Sequence, residues 1–118
     1  MVASLNDPLL YGGLAVDAAY AYFGETASMQ PPSVIRRIGF GETQPSLLFR
    51  GDALVHDLAV DSTRIYFAEA DLGLVAAIPR EGGEPSTLAK GQESPAGVRV
   101  SHDAIYWQTS SKIIKLAK

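Results

Sequence analysis

The chain has 118 residues, of which 47% are hydrophobic and 19% charged, and its formal net charge is −3. This size and composition are typical of one soluble globular domain with a modest core. The lack of a basic surplus argues against nucleic-acid binding, and no apolar run approaches the ~20 residues that span a bilayer. Without cysteine, disulfides and thiolate metal sites are excluded, and the compartment stays open, including secretion or the periplasm behind a separate leader.

Short apolar runs, separated by Gly, Pro, Asp and Ser, follow one another along the chain. Such runs are typical of strands joined by tight turns. In chain order the predicted strands contain Val2–Leu5, Leu14–Val16, Tyr22-Phe23, Val34–Ile38, Pro45–Phe49, Leu58–Val60, Ile65–Ala70, Leu74–Ile78, Ser86–Ala89, Val98–Val100, Tyr106-Trp107 and Lys112–Leu116. Turn residues arrive too often for helices, so the chain is predicted to be all-β.

The runs form a repeat. Leu14–Asp17 returns identically as Leu58–Asp61, 44 residues later, and more loosely as Val98–Ser101. An aromatic pair and two further runs follow the first two copies, and a pair and one run follow the third. Four strands in a period of about 40–45 residues match a β-propeller blade.

The repeat divides the chain into three blades. Residues 13–51 and 57–91 are predicted as whole blades, and residues 97–118 as three strands of a split blade that residues 1–12 complete with an outer strand. Apolar residues on successive positions of Ile65–Ala68 and Leu74–Ile78 predict a sheet buried on both faces.

Three blades do not close a ring, because propellers have about 4–8 of them. The two end faces would expose apolar surface, which a stable monomer rarely tolerates. A homodimer with twofold symmetry would give six blades, and this is the predicted assembly. The alternative is that the chain is an excised or engineered piece of a longer propeller without activity of its own.

The order of these motifs resembles the six-bladed β-propeller repeats of the YWTD, NHL and TolB-like type over essentially the whole chain. The residues that carry the resemblance are Leu58–Asp61, Ile65–Phe67, Ile78–Gly83, Leu88–Gly91 and Pro95–Val98. It implies the fold but no single activity, since this fold hosts many unrelated ones. YWTD repeats have Thr-Asp after the aromatic pair, where this chain has Gly24-Glu25, Ala68-Glu69 and Gln108-Thr109. The resemblance therefore implies that Glu25 and Glu69 partly replace the inter-blade hydrogen bonds of that Asp.

In such propellers the channel mouth gathers polar side chains from one set of strand connections. The predicted ligand-binding residues there are Glu25, Arg50, His56, Asp57, Glu69, Asp71 and Gln108, with Thr26, Asp52, Gln92 and Glu93 on the same face. Carboxylates in a ring could hold a hard cation or bind a sugar. A glycan-binding lectin, and a metal-dependent hydrolase with an ion at Glu25, Glu69 or Asp57, therefore remain open.

No catalytic constellation is present in the sequence: there is no Gly-x-Ser-x-Gly, no phosphate-binding glycine loop and no His pair at metal-ligand spacing. The prediction is a non-catalytic binding or scaffold module with no cofactor, which binds a protein, small-molecule or glycan ligand but no nucleic acid or membrane.

Several residues are assigned structural roles. Asp17 and Asp61 are predicted to cap turns, and the aromatic pairs are predicted to pack between blades. The side chains of Arg36 and Arg37 should point to opposite faces. His56 and His102 should lie at opposite ends of their strands and share no site.

Overall fold

The computed structural model describes residues 13–26, 33–51 and 54–118. These residues form three antiparallel sheets in which each strand pairs with its neighbour in sequence. The first sheet contains β1 (Leu14–Val16), β2 (Tyr20–Thr26), β3 (Ser33–Gly39) and β4 (Ser46–Gly51). The second contains β5 (Val55–Val60), β6 (Arg64–Glu69), β7 (Leu74–Pro79) and β8 (Ser86–Ala89), and the third contains β9 (Ala96–Val100), β10 (Ala104–Gln108) and β11 (Ile113–Ala117).

The three sheets confirm the prediction of an all-β chain built of propeller blades. The predicted outer strand within residues 1–12 lies outside the described residues, as does Asp52. In the described part of the chain, helical structure is limited to a 3-10 turn, Ala70–Leu72, and no helix is long and apolar enough to cross a membrane.

The second sheet is buried on both faces, as its sequence predicts. Ile65 and Phe67 of β6 pack against the first sheet, while Tyr66 and Ala68 of the same strand pack against the third. Side chains alternate between the two faces of a strand, so a sheet covered on both sides needs apolar residues at successive positions. The Phe67 ring lies 5.0 Å from that of Phe49 of the first sheet.

The first strands of the three blades lie side by side, with β5 between β1 and β9. Gly13 permits this approach: it has a φ of +89°, and a Cβ there would lie 2.7 Å from Asp57 Oδ1. The opposite edge strands, β4 and β8, are largely exposed. The first strand of each sheet is therefore the inner one, and in the first two sheets the fourth strand is the outer one.

Four of the six side chains of the aromatic pairs pack between the described sheets, as predicted. Tyr22 and Phe67 belong to the core between the first and second sheets, and Tyr66 and Trp107 to the core between the second and third. Tyr106 is half-buried, on the face of the third sheet that points away from the second.

Arg36 and Arg37 point to opposite faces of β3, as predicted. Arg36 Nε lies 3.3 Å from Glu25 Oε1 on the outer face of the first sheet. Arg37 lies over the Tyr20 ring, 3.9 Å from its centroid, and donates a hydrogen bond to the carbonyl of Arg80 in the second blade. Arg37 is therefore the member of the pair that lies at an interface between blades.

Candidate functional site

Strand direction places all seven predicted ligand-binding residues at one end of the sheets, which we call the rim. The rim contains the last residues of β2, β4, β6 and β10 and the first residues of β5, together with the 3-10 turn. His56 lies within β5, because this strand begins at Val55. His102 follows β9 at the other end of the sheets, so the two histidines are separated as predicted.

Partners inside the protein hold several of the rim side chains. Glu25 pairs with Arg36 of its own sheet, which differs from the inter-blade role that the resemblance implied for it. Asp57 Oδ2 lies 3.0 Å from Arg99 Nη1 of the next blade. Asp71 accepts a hydrogen bond of 3.2 Å from the Leu54 N–H.

The four other rim residues divide by burial. Glu69 is buried and His56 half-buried, and both interact with other groups of the protein. Arg50 and Gln108 are exposed. Among the described residues, no group of three His, Asp or Glu side chains could hold a metal ion.

The opposite end of the sheets carries a repeated polar arrangement that begins with Asp17. Its Oδ1 accepts hydrogen bonds from the N–H groups of Ala19 and Tyr20, at 2.9 and 2.8 Å, which confirms the predicted turn cap. Its Oδ2 accepts the Tyr22 hydroxyl at 2.7 Å.

Asp61 makes the same contacts in the second blade. Its Oδ1 accepts the N–H groups of Thr63 and Arg64, each at 2.9 Å, and its Oδ2 accepts the Tyr66 hydroxyl at 2.6 Å. The spacing of five residues between Asp and Tyr therefore places the tyrosine hydroxyl on the carboxylate that caps the preceding turn.

A cation from the following blade completes each arrangement. Arg80 of the second blade donates from Nη2 to Asp17 Oδ2 at 2.6 Å and from Nε to the Tyr22 hydroxyl at 3.0 Å. Lys118 of the third blade places Nζ 2.8 Å from Asp61 Oδ2. We call each set of Asp, Tyr and cation an inter-blade cluster. These clusters join neighbouring sheets at their ends, beside the apolar cores.

The clusters shift the pKa values of their members. Burial alone would raise the pKa of Asp61, but hydrogen bonds from Lys118, Tyr66 and the turn N–H groups outweigh it and hold the pKa well below its usual value. The pKa of Asp17 is lowered against the same burial effect, by Tyr22, the turn N–H groups and Arg80. Burial and the neighbouring carboxylate raise the pKa of Tyr66. Each cluster therefore holds a charged carboxylate and a neutral tyrosine at neutral pH.

Backbone hydrogen bonds establish which residues occupy the same positions in all three blades. The N–H groups of Asp17, Asp61 and Ser101 donate to the carbonyls of Tyr20, Arg64 and Ala104, respectively. The N–H groups of Phe40, Arg80 and Lys118 donate to the carbonyls of Ala19, Thr63 and Asp103, respectively. The third blade thus has a serine at the carboxylate position, and the first has a phenylalanine at the cation position.

Sequence reasoning missed the cations of these clusters. A signal was present, since Asp17–Tyr22 and Asp61–Tyr66 share one spacing, and Phe40 and Arg80 are 40 residues apart, like other equivalent positions of the repeat. The pairing of Arg80 with Asp17 was not visible, because it joins residues 63 positions apart in different blades.

A cleft of about 340 Å³ opens between the first and second blades at the cluster end. Its walls combine Val16 and Val60 with Asp17, Asp61 and Arg80. The charged groups of these walls are already paired with one another or with Lys118. The cleft is thus a boundary between blades whose polar groups have partners.

Comparisons with known proteins place this fold. No family model and no curated protein sequence matches the chain. Among solved structures, a chain of the nidogen/laminin complex aligns with a TM-score of 0.77 and 20% identity, over 89% of this chain and 43% of that one. A streptogramin B lyase aligns with a TM-score of 0.64 and 18% identity, over 98% of this chain and 42% of the other. Virginiamycin B lyase from Staphylococcus aureus aligns with a TM-score of 0.61 and 18% identity, over 96% and 43%.

These similarities show the fold alone, because each identity is below 25%. The similar structures are propellers, and they include both a protein complex and lyases. This chain spans less than half of each solved chain that it matches. It is a protein built of β-propeller blades.

Proposed function

We propose that this chain is a non-catalytic binding or scaffold module that forms half of a six-bladed propeller ring, closed by a second copy of itself. The observation that carries this proposal is the exposure, on the two end faces, of positions that are core positions elsewhere in the repeat.

Leu14 provides the comparison for the first blade. It pairs with Phe23 in the same register in which Leu58 pairs with Phe67 of the second blade. Leu58 is 2% exposed because the first sheet covers it, whereas Leu14 is 66% exposed. An exposed apolar face of this kind is typical of an interaction surface.

Ile113 provides the comparison for the third blade. Ile113 pairs with Gln108 in the third sheet, as Val75 pairs with Ala68 in the second, so Ile113 and Val75 occupy equivalent positions. Val75 is fully buried, whereas Ile113 is 79% exposed. At these two positions, then, an apolar side chain that is core in the second blade is left exposed on an end face, and one second copy packed against both end faces would bury it.

The lengths of the matched solved chains also support two copies of this chain per ring. Each of the three solved chains is a little more than twice as long as the part that this chain covers. Two copies with twofold symmetry about the ring axis would satisfy both end faces at once, and closed twofold symmetry is the commonest form of homo-oligomer.

The proposed ligand-binding surface is the rim, with Glu25, Arg50, His56, Asp57, Glu69, Asp71 and Gln108. Several loops converge there, and loops on a rigid scaffold commonly carry binding residues. A propeller in the nidogen/laminin complex is a precedent for a protein ligand. Arg50 and Gln108 are the exposed members and the first candidates for contact.

Light scattering coupled to size-exclusion chromatography tests the assembly. The expected molar mass is twice that of the chain and persists on dilution into the micromolar range. A folded particle with the mass of one chain would contradict the proposal.

An NMR titration of the isotope-labelled protein tests the rim. The probes are neutral oligosaccharides and short acidic and basic peptides, added separately. We expect chemical-shift changes at Arg50, Gln108 and their neighbours. Changes confined to the cluster end, around Asp17 and Asp61, would contradict the assignment of the binding surface.

A further inference from the structure

We propose that the two copies join head to tail through a version of the inter-blade cluster that lacks the Asp–cation pair, in which Phe40 of one copy lies against Ser101 and Tyr106 of the other. This inference rests on the proposed ring, and it specifies which faces meet and which residues contact each other.

The direction of the internal clusters defines the geometry. In both, the residue that follows the third strand of a blade reaches back to the Asp–Tyr pair of the preceding blade. Arg80 reaches Asp17 and Tyr22, and Lys118 reaches Asp61. Phe40 occupies the same position in the first blade. By the same rule, its side chain would contact the Asp–Tyr position of a blade packed on the outward face of the first blade. Ser101 and Tyr106 occupy the Asp–Tyr position of the third blade. They would be contacted by a residue of a blade packed on the outward face of the third blade.

Among the described residues, Phe40 at the cation position and Ser101 at the carboxylate position are the two cluster positions that face no neighbouring blade. Phe40 is 59% exposed, and Ser101 is also exposed. If the third blade of one copy packs on the first blade of another, these two positions meet. Both side chains are neutral, and the Ser101 hydroxyl donates to Asp103 Oδ1 of its own turn at 3.2 Å. The clusters of Asp17 and Asp61 instead each combine a carboxylate with a cation across a blade boundary.

The matched loss of charge identifies the occupant as a second copy. A buried carboxylate without a cation, or a cation without a carboxylate, is costly. A partner that placed an arginine against the third blade would need an acidic residue such as Asp at position 101 to pair with it. A partner that placed an aspartate against the first blade would need Arg or Lys at position 40. Phe40 and Ser101 leave no such charge unpaired when the two ends meet each other, which makes a second copy the occupant that we propose.

Lys115 fits the same junction. It pairs with Tyr106 as Arg37 pairs with Tyr22 in the first blade. At the internal interface Arg37 donates a 3.1 Å hydrogen bond to the carbonyl of Arg80. At the proposed junction Lys115 is therefore expected to donate to the carbonyl of Phe40 of the second copy, since Phe40 is the equivalent of Arg80.

A double-mutant cycle on self-association tests the junction. The variants are Phe40→Arg, Ser101→Asp and the combination of the two, and dimer dissociation constants are measured by analytical ultracentrifugation. Each single change is expected to weaken the dimer at least about tenfold, because it places one unpaired charge in each of two contacts. The double variant recreates the internal cluster. Its dimer is expected to bind at least tenfold more tightly than the product of the two single effects on the dissociation constant predicts.

Leu72→Arg combined with Ser101→Asp is the matched control. Leu72 is 55% exposed, like Phe40, but it lies at the rim and should show no coupling with position 101. Circular dichroism checks the fold of each variant, and Phe40→Lys replaces Phe40→Arg if that variant does not fold, since Lys118 serves as the cation in the second cluster.

The outcomes separate this inference from the proposed function. A dimeric wild type whose two changes act independently would overturn the junction but leave the ring intact. A dimeric wild type unaffected by any of the changes would do the same. A monomeric wild type would overturn both.

Discussion

Arg80 donates from Nη2 to Asp17 Oδ2 at 2.6 Å, across the boundary between the first and second blades. The same guanidinium reaches the Tyr22 hydroxyl and the Ser62 carbonyl, so one side chain joins two turns that are distant in sequence. Lys118 and Asp61 repeat this contact at the next boundary, so it is a recurring polar contact between stacked blades.

Replacement of Arg80 by methionine is expected to lower the free energy of unfolding by about 1–3 kcal/mol, because a partly buried carboxylate loses its charged donor. Arg50→Met is the matched control at an exposed position and should change it by less than about 0.5 kcal/mol. Urea unfolding measures both. Equal effects of the two changes would mean that the cluster contributes nothing specific to stability.

Stability is expected to fall with acid through Asp61. The folded pKa of Asp61 lies below the ordinary value of 3.8, so the unfolded state takes up the proton first as the pH falls. The stabilising contribution of Asp61 is therefore lost as the pH falls from 3.8 towards the lower, folded pKa. Asp61→Asn should therefore be less stable than the wild type at pH 7, with a gap that narrows below about pH 4.

Urea unfolding at a series of pH values measures this gap, with Ser62→Ala as a control that removes no titratable group. The control should stay parallel to the wild type throughout. A gap between Asp61→Asn and the wild type that is constant from pH 7 to pH 3 would contradict the assigned role of the carboxylate.

Leu58→Ala is expected to destabilise the protein by about 2–5 kcal/mol, because Leu58 lies in the core between the first and second sheets and its truncation leaves a cavity. Leu72→Ala makes the same chemical change at an exposed position and should cost less than about 0.5 kcal/mol. Thermal and urea unfolding compare the two. Similar costs would contradict burial of the second sheet by the first.

Gly73 and Gly91 allow strain and steric conflict to be separated. Both have a left-handed φ, +66° and +65°, but a Cβ on Gly73 would lie 2.7 Å from the Gln92 carbonyl oxygen, whereas a Cβ on Gly91 would meet nothing within 4 Å. Gly91→Ala should therefore cost only the backbone penalty of about 1–2 kcal/mol. Gly73→Ala should cost more, since the loop that carries Gln92 must also move. Equal free energies of unfolding for the two variants would show that the loop yields without cost.

Much of the fold could be predicted from the sequence. The identical tetrapeptides at Leu14 and Leu58 reveal the period, and successive apolar residues in β6 and β7 predict burial on both faces. These signals are local, because turn chemistry and side-chain alternation act within a few residues. They also located the caps at Asp17 and Asp61, which depend on neighbouring N–H groups.

The polar contacts between blades could not be predicted in the same way. The resemblance to YWTD repeats directed attention to Glu25, which the structure pairs with Arg36 of its own sheet. The ion pairs that the structure shows across blade boundaries are instead those of Asp17, Asp57 and Asp61, each with a cation of the following blade. The gathering of polar residues at the rim was derivable from strand direction, and the NMR titration tests the proposed ligand binding there.

By itself, then, the sequence determined the strands and turns of the described residues and their grouping into three sheets, because turn chemistry and side-chain alternation act between residues close together in the chain. The tertiary structure decided which side chain meets which across a blade boundary, since Asp17 and Arg80 are 63 residues apart and only the stacking of two sheets brings them together. The repeat aligns Phe40 with Arg80 and Ser101 with Asp61, but only the stacking shows that a cation and a carboxylate meet across a blade boundary at those places.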